Sequence, residues 1–137
     1  MEVHMPPSIL AGRSCLMTCQ VRLAFKHSVS IPARRSLTSF VITDVWNTVP
    51  FDTDILVTHT PPYGIQDITR RGQNVGCEHL LKKIKEIKPK VCIFGHIHEA
   101  YGVHEEDGTV YINACTSNSR YKATQLPVVL DLPKFRD

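Results

Sequence analysis

Two imidazoles stand two positions apart in Gly95-His96-Ile97-His98, and a third, His59, follows a short apolar run earlier in the chain. In a regular β-strand, residues at that spacing share a face but stand two full rises apart along it. Two rings that follow a strand and turn on one site need the chain to leave strand geometry there. Gly95 is the residue whose dihedral freedom would permit the bend. Neutral imidazole nitrogen suits Zn, Mn and Fe, and a pair of metals about 3.5–4 Å apart could be served by one histidine each. Taken alone, the His-x-His pair is as compatible with surface histidines or hydrogen-bonded core histidines. His59 alone reads as a capping or turn residue before Pro61.

The elements that would position these rings are legible around them. Asp54-Ile55-Leu56-Val57-Thr58 is an aliphatic run closed by a Pro-Pro turn, the pattern of a strand buried on both faces and therefore parallel. Apolar residues then recur at helical intervals from Val75 to Ile87, with Lys82, Lys83, Lys85 and Glu86 on the other face. Pro89 should stop that helix at Ile87 or Lys88. Val91-Cys92-Ile93-Phe94 repeats the first strand, so strand, helix and strand form a βαβ-like unit, which puts ligand-binding loops at the strands' carboxyl ends. His59 falls on one such end and His96 and His98 on the other. Further on, Asp107-Gly108 is a turn pair between Val103–Glu106 and Thr109–Asn113, a hairpin in which His104 reads as an exposed strand residue. Val128–Leu132 reads as a last strand.

Composition limits the function classes. The chain has 137 residues, 42% hydrophobic and 21% charged, the profile of one small globular domain and short for a complete two-metal hydrolase. Its net charge of +3 comes from the leader, where Arg13, Arg22, Lys26, Arg34 and Arg35 face Glu2 alone, so it is poor evidence for a specific nucleic-acid surface. No run of about 18 apolar residues exists, which argues against a membrane span. Five cysteines at irregular spacing favour a reducing intracellular, cytoplasmic compartment, and Cys15 and Cys19 lack the second pair of a zinc site. Residues 8–33, rich in Ser and Arg and nearly free of acids, loosely resemble a transit peptide, which gives a mitochondrial location as the alternative.

Thr58-His59-Thr60-Pro61-Pro62-Tyr63-Gly64, Gly76-Cys77, Phe94-Gly95-His96-Ile97-His98-Glu99 and Tyr111-Ile112-Asn113-Ala114 together resemble the metallophosphoesterase-domain (MPPED-like) subfamily of calcineurin-like phosphoesterases. The resemblance spans about residues 45–133. It implies two divalent metals (Mn, Fe, Zn or Co) bridged by water or hydroxide, with His59 and His96 on the second metal and His98 on the first. It further implies hydrolysis of a small-molecule phosphodiester or phosphomonoester by metal-activated hydroxide. The family's earlier motifs, an Asp-x-His, a Gly-Asp-x-x-Asp and a Gly-Asn-His, have no counterpart in residues 1–58. Those motifs carry the carboxylate and Asn ligands and an acid-base histidine, so weak metal binding and impaired turnover are expected, and a catalytically inactive binding or regulatory module is the alternative.

The fold expected from the resemblance is α/β, the C-terminal half of a metallophosphoesterase β-sandwich flanked by helices, an incomplete domain. Residues 1–44 would form an unrelated, disordered basic leader and residues 45–137 the family portion. Strands that are interior in the complete domain would become edges, and self-association through an exposed sheet edge is expected. Arg70 and Arg71, on the loop after His59, could meet a substrate phosphate, a solvated surface pair being the plainer reading. Asn113, near a strand end, could brace the site by a hydrogen bond or serve an ordinary turn. Trp46 reads as a packing anchor.

Overall fold

The structure, a computed structural model, describes residues 2–4, 28–31 and 45–131. In chain order its strands are β1 (Glu2–His4), β2 (Ser28–Ile31), β3 (Ile55–Thr58), β4 (Val91–Phe94), β5 (Gly102–Glu106), β6 (Thr109–Asn113) and β7 (Val129–Asp131). The α-helix α1 (Glu78–Ile87) joins β3 to β4, a helical turn covers residues 45–47, and a 3-10 turn covers His98–Ala100. Five strands form a mixed sheet in the order β2-β3-β4-β6-β5, and β1 pairs with β7 in a separate two-stranded ribbon. The α/β reading and the parallel βαβ unit hold. Most of the residues read as a transit-like leader, Cys15 and Cys19 among them, lie outside those described.

β3, β4 and β6 are parallel neighbours, with Leu56 opposite Cys92 and Cys92 opposite Tyr111. Alternation divides their side chains between two cores. Leu56, Cys92, Phe94 and Tyr111 face a cluster completed by Leu80, Ile84 and Ile87 of α1, with Val49 and Ile65, and Trp46 packs partly buried against it. Ile55, Val91, Val110 and Ile112 face the opposite way, where Val128 and Leu130 pack over them. Both faces are therefore covered, which is why apolar residues occupy both faces of these strands. Full burial of the α1 residues Leu80 and Ile84 stabilises the helix-on-sheet layer by about 1.5–3 kcal/mol each.

Helix α1 begins three residues later than its apolar period suggests. Val75 is exposed and its N–H donates to Asp67 O at 3.3 Å, while Cys77 caps the helix by accepting from Leu80 N through Sγ at 3.4 Å. Position 76 explains the delay, because a Cβ there would lie 2.3 Å from Pro62 O, so the glycine lets two backbone segments touch. Cys77 bridges to Pro62 at the same place, which holds the chain extended until the cap. At the other end Lys88 adopts φ 48°, its N–H returns to Ile84 O at 2.8 Å, and Pro89 follows, the stop that the sequence indicates.

The β5–β6 hairpin closes through Asp107 and Gly108, both at positive φ, as a two-residue turn between paired strands requires. His104 is half exposed on β5 and sits 3.3 Å from Glu106. The expectation that truncation leaves interior strands as edges needs correction for β3, whose outer side is paired in parallel by β2 from the leader. The opposite edge, β5, carries Glu105 and Glu106, and charge on an edge strand discourages pairing with another chain. The last strand starts at Val129, one residue later than read from the sequence, and pairs antiparallel with β1 in the two-stranded ribbon.

Two consequences can be measured. Gly76→Ala drives a methyl into backbone and should destabilise the fold by about 1–3 kcal/mol, read as a lower denaturation midpoint in urea. Burial pushes the Cys92 thiol far up from its ordinary value, so Cys92 should resist thiol reagents in the native protein and the half-buried Cys77 should react before it. Mass mapping of the alkylated chain reads that order directly.

Candidate functional site

The three parallel strands deliver their carboxyl ends to one edge of the sheet, and each of the sequence-predicted site residues except Arg71 lies there. His59 follows the last residue of β3, His96 comes two residues after β4, and Asn113 is the last residue of β6. Gly95 N donates to His59 O at 3.2 Å, which extends the β3–β4 pairing into the loops and sets the two histidine segments side by side. The His59 and His96 rings stand with centroids 4.9 Å apart at an interplanar angle of 51°.

The bend after β4 is centred on His96, not on Gly95 as the sequence suggests. Ile97 N donates to Gly95 O at 2.8 Å across His96, whose φ is 68°, a γ-turn of the rare positive-φ kind. A non-glycine residue held in that region costs on the order of 1–2 kcal/mol, and such strain tends to accumulate at functional positions. Desolvation chiefly, then the charges that His59 and His98 would carry, hold the His96 ring below its ordinary pKa. At neutral pH it therefore has a free lone pair, the form that binds a metal.

His98 opens the 3-10 turn and is half-buried. Its Nδ1 lies 2.8 Å from Asn118 O, Tyr121 meets the ring edge-on at 5.0 Å, and Gln125 Nε2 donates to His98 O at 2.9 Å. Asn113 is wholly buried beneath these loops. Its Nδ2 donates to Ile97 O at 2.8 Å and to Gln66 O at 3.5 Å, and its Oδ1 accepts from Cys115 N at 3.2 Å. One amide thus ties the His96–His98 segment and the loop after His59 to the end of β6.

Several residues escaped the sequence reading. Asp67, fully buried, accepts from Gly64 N at 3.0 Å, from Gly76 N at 2.8 Å and from Asn74 Nδ2 at 2.6 Å, and so closes the loop that follows His59. Nothing in a single Asp inside a Gly-rich loop separates it from a solvated one. Glu99 accepts from Arg70 N at 2.8 Å, and its carboxyl is held below the usual range first by its own backbone amide, then by Arg70 and His98 against some desolvation. The Arg70 guanidinium meets Ser119 Oγ. It is therefore Arg70 that the structure joins to the loop around His98, while Arg71 is exposed. Asn118 was signalled only by its Ser-Asn-Ser context, a turn composition.

Among the described residues no group of three or more His, Cys, Asp or Glu side chains is gathered so as to hold a metal ion. No helix among them is long and apolar enough to cross a membrane.

No family model matches the chain. Individual relatives do. The UPF0046 protein T07D4.2 of Caenorhabditis elegans is 43% identical over 91 residues, covering 66% of this chain and 23% of the relative. Metallophosphoesterase domain-containing protein 1 of Homo sapiens, and that of Mus musculus, is 42% identical over 94 residues, covering 67% of this chain and 29% of the relative. The chain thus spans less than a third of the length of these curated relatives.

Asn113→Ala removes one buried donor and one buried acceptor and leaves Ile97 O and Cys115 N unpaired. It should lower stability by about 2–3 kcal/mol. Amide exchange should then accelerate across residues 95–98 before it does so in α1. Uniform acceleration would contradict a brace local to the histidine loop.

Proposed function

From its membership of the family of metallophosphoesterase domain-containing protein 1, shown by relatives that match about two thirds of the chain, we propose that this segment supplies the histidine share of a two-metal phosphoesterase site. The observation that carries the reading is positional. His59, His96 and His98 all emerge at the carboxyl ends of adjacent parallel strands, where open α/β sheets bind ligands. The proposed ligands are His59 and His96 for one metal and His98 for the other. Asn113 braces the loop that carries two of them, and Arg70 or Arg71 is available to a substrate oxyanion. The substrate class proposed for the full-length protein is a phosphodiester or phosphomonoester.

The described residues do not by themselves fit a two-metal centre. They offer three imidazoles, and among the described residues no group of three or more His, Cys, Asp or Glu side chains is gathered so as to hold a metal ion. Two dications held by neutral ligands alone keep their full charge in a partly desolvated site, which opposes binding. No hydrolytic step is therefore assigned to this chain on its own. The remainder of the sandwich and its carboxylates belong to the same proposal, as does any pairing of two chains through a sheet edge.

The test is metal content and Mn-dependent hydrolysis of a chromogenic phosphodiester by the purified chain, with His96→Ala and His98→Ala beside it. Weak Mn binding, reduced by about tenfold or more in each variant, is the expected result. Mn affinity equal in all three proteins would remove the histidines from the ligand set. A folded chain with no metal and no turnover would instead favour a binding or regulatory module.

A further inference from the structure

We propose that the turn centred on Asn118 fixes His98 in one neutral tautomer, protonated on Nδ1, and seats the Tyr121 ring against it, making Asn118 a positioning residue of the site. A backbone carbonyl only accepts hydrogen bonds. With Asn118 O at 2.8 Å, Nδ1 of a neutral His98 must carry the proton, which leaves Nε2 as the lone-pair atom.

The same carbonyl also accepts from Tyr121 N at 2.8 Å, and every other polar atom of Asn118 is engaged in building the turn. Its backbone N donates to Lys122 O at 2.8 Å. Its Oδ1 accepts from Arg120 N at 2.8 Å and from Lys122 N at 3.2 Å, and its Nδ2 donates to Thr124 Oγ1 at 3.0 Å. Such a network leaves the carbonyl little freedom to turn away from the ring. Gln125, farther along the loop, grips the backbone of His98 through its carbonyl, so one loop holds both ring and main chain.

Tyr121 is the second sign that the turn is built around His98. It is 83% exposed and sits at φ 58°, a conformation that an L-residue with a large side chain rarely adopts. Neither burial nor backbone preference explains a tyrosine there. Its ring nevertheless lies edge-on to His98 at 5.0 Å, close enough to restrict the imidazole's rotation and its access to solvent.

The inference rests on the reading of His98 as a site residue, but its test needs neither metal nor substrate, so a Mn affinity unchanged by His98→Ala would overturn that reading and leave this one standing. Long-range proton–nitrogen correlation spectra of the 15N-labelled chain, at a pH where the ring is neutral, report the tautomer of His98. The expected spectrum shows Nδ1 protonated. Asn118→Ala should shift His98 toward the Nε2-protonated form that free imidazoles favour. Asn118→Asp, which keeps the Oδ1 acceptor, should restore the original pattern. Tyr121→Gly relieves the backbone and should keep the tautomer while losing the ring-current shift on the His98 ring protons. An Nε2-protonated His98 in the unmodified chain overturns the proposal, as does an unchanged tautomer in a folded Asn118→Ala. Should the alanine variant fail to fold, Asn118→Asp decides, and an Nε2-protonated ring there overturns it.

Discussion

Parallel pairing of β3, β4 and β6 is the constraint from which the site follows. Parallel registers align strand ends, so whatever follows the last paired residues emerges at one edge of the sheet. The main-chain bond from Gly95 N to His59 O then carries that alignment past the strands. Two histidines far apart in sequence become neighbours because of backbone pairing, before any side-chain preference acts. The aliphatic residues on both faces supply the burial that holds the pairing. A change that shifted β4 by one residue would exchange its two faces and carry the histidines away together.

Loops at such an edge need bracing, because they have left the ladder that satisfies their polar groups. Three short polar side chains provide it, each by a different route. Asp67 gathers two glycine amides and closes the loop after His59. Asn113 joins that loop to the Ile97 carbonyl. Asn118 organises the segment that receives His98. Each replaces water with fixed donors or acceptors, and removing one strands several partners at once, which makes these positions sensitive to substitution.

The scaffold was legible in the sequence because it rests on periodicity. Aliphatic runs, a helical period and a Pro stop mark β3, α1 and β4, and Asp107-Gly108 marks the hairpin. Helix α1 begins late for a reason that no period contains, a close approach between Gly76 and Pro62. The histidines were visible through their places after the strands. Asn113 was marked by its strand-end position, but Asp67, Asn118 and Gln125 were not, since they act through contacts that local sequence does not signal. The bend offers the same lesson: a glycine beside a histidine suggests that the glycine turns, yet the γ-turn falls on His96. Pairing of Gly95 N with His59 O commits the glycine to the extended ladder and passes the turn to the next residue.

That displacement matters for chemistry. A histidine at the centre of a γ-turn projects from the strand end at an angle that regular geometry does not offer, and the main chain around it is fixed on both sides, by the His59 carbonyl before it and by Asn113 through Ile97 after it. The strain at His96 is therefore sustained by the surrounding bonds and not relieved by rotation. Such a ring is preorganised and would lose little freedom on accepting a ligand, which on the proposed reading would partly offset the weakness of a neutral donor set. Preorganisation cannot neutralise charge, however. Among the described residues no group of three or more His, Cys, Asp or Glu side chains is gathered so as to hold a metal ion, so on the proposed reading the anionic ligands would have to come from outside them.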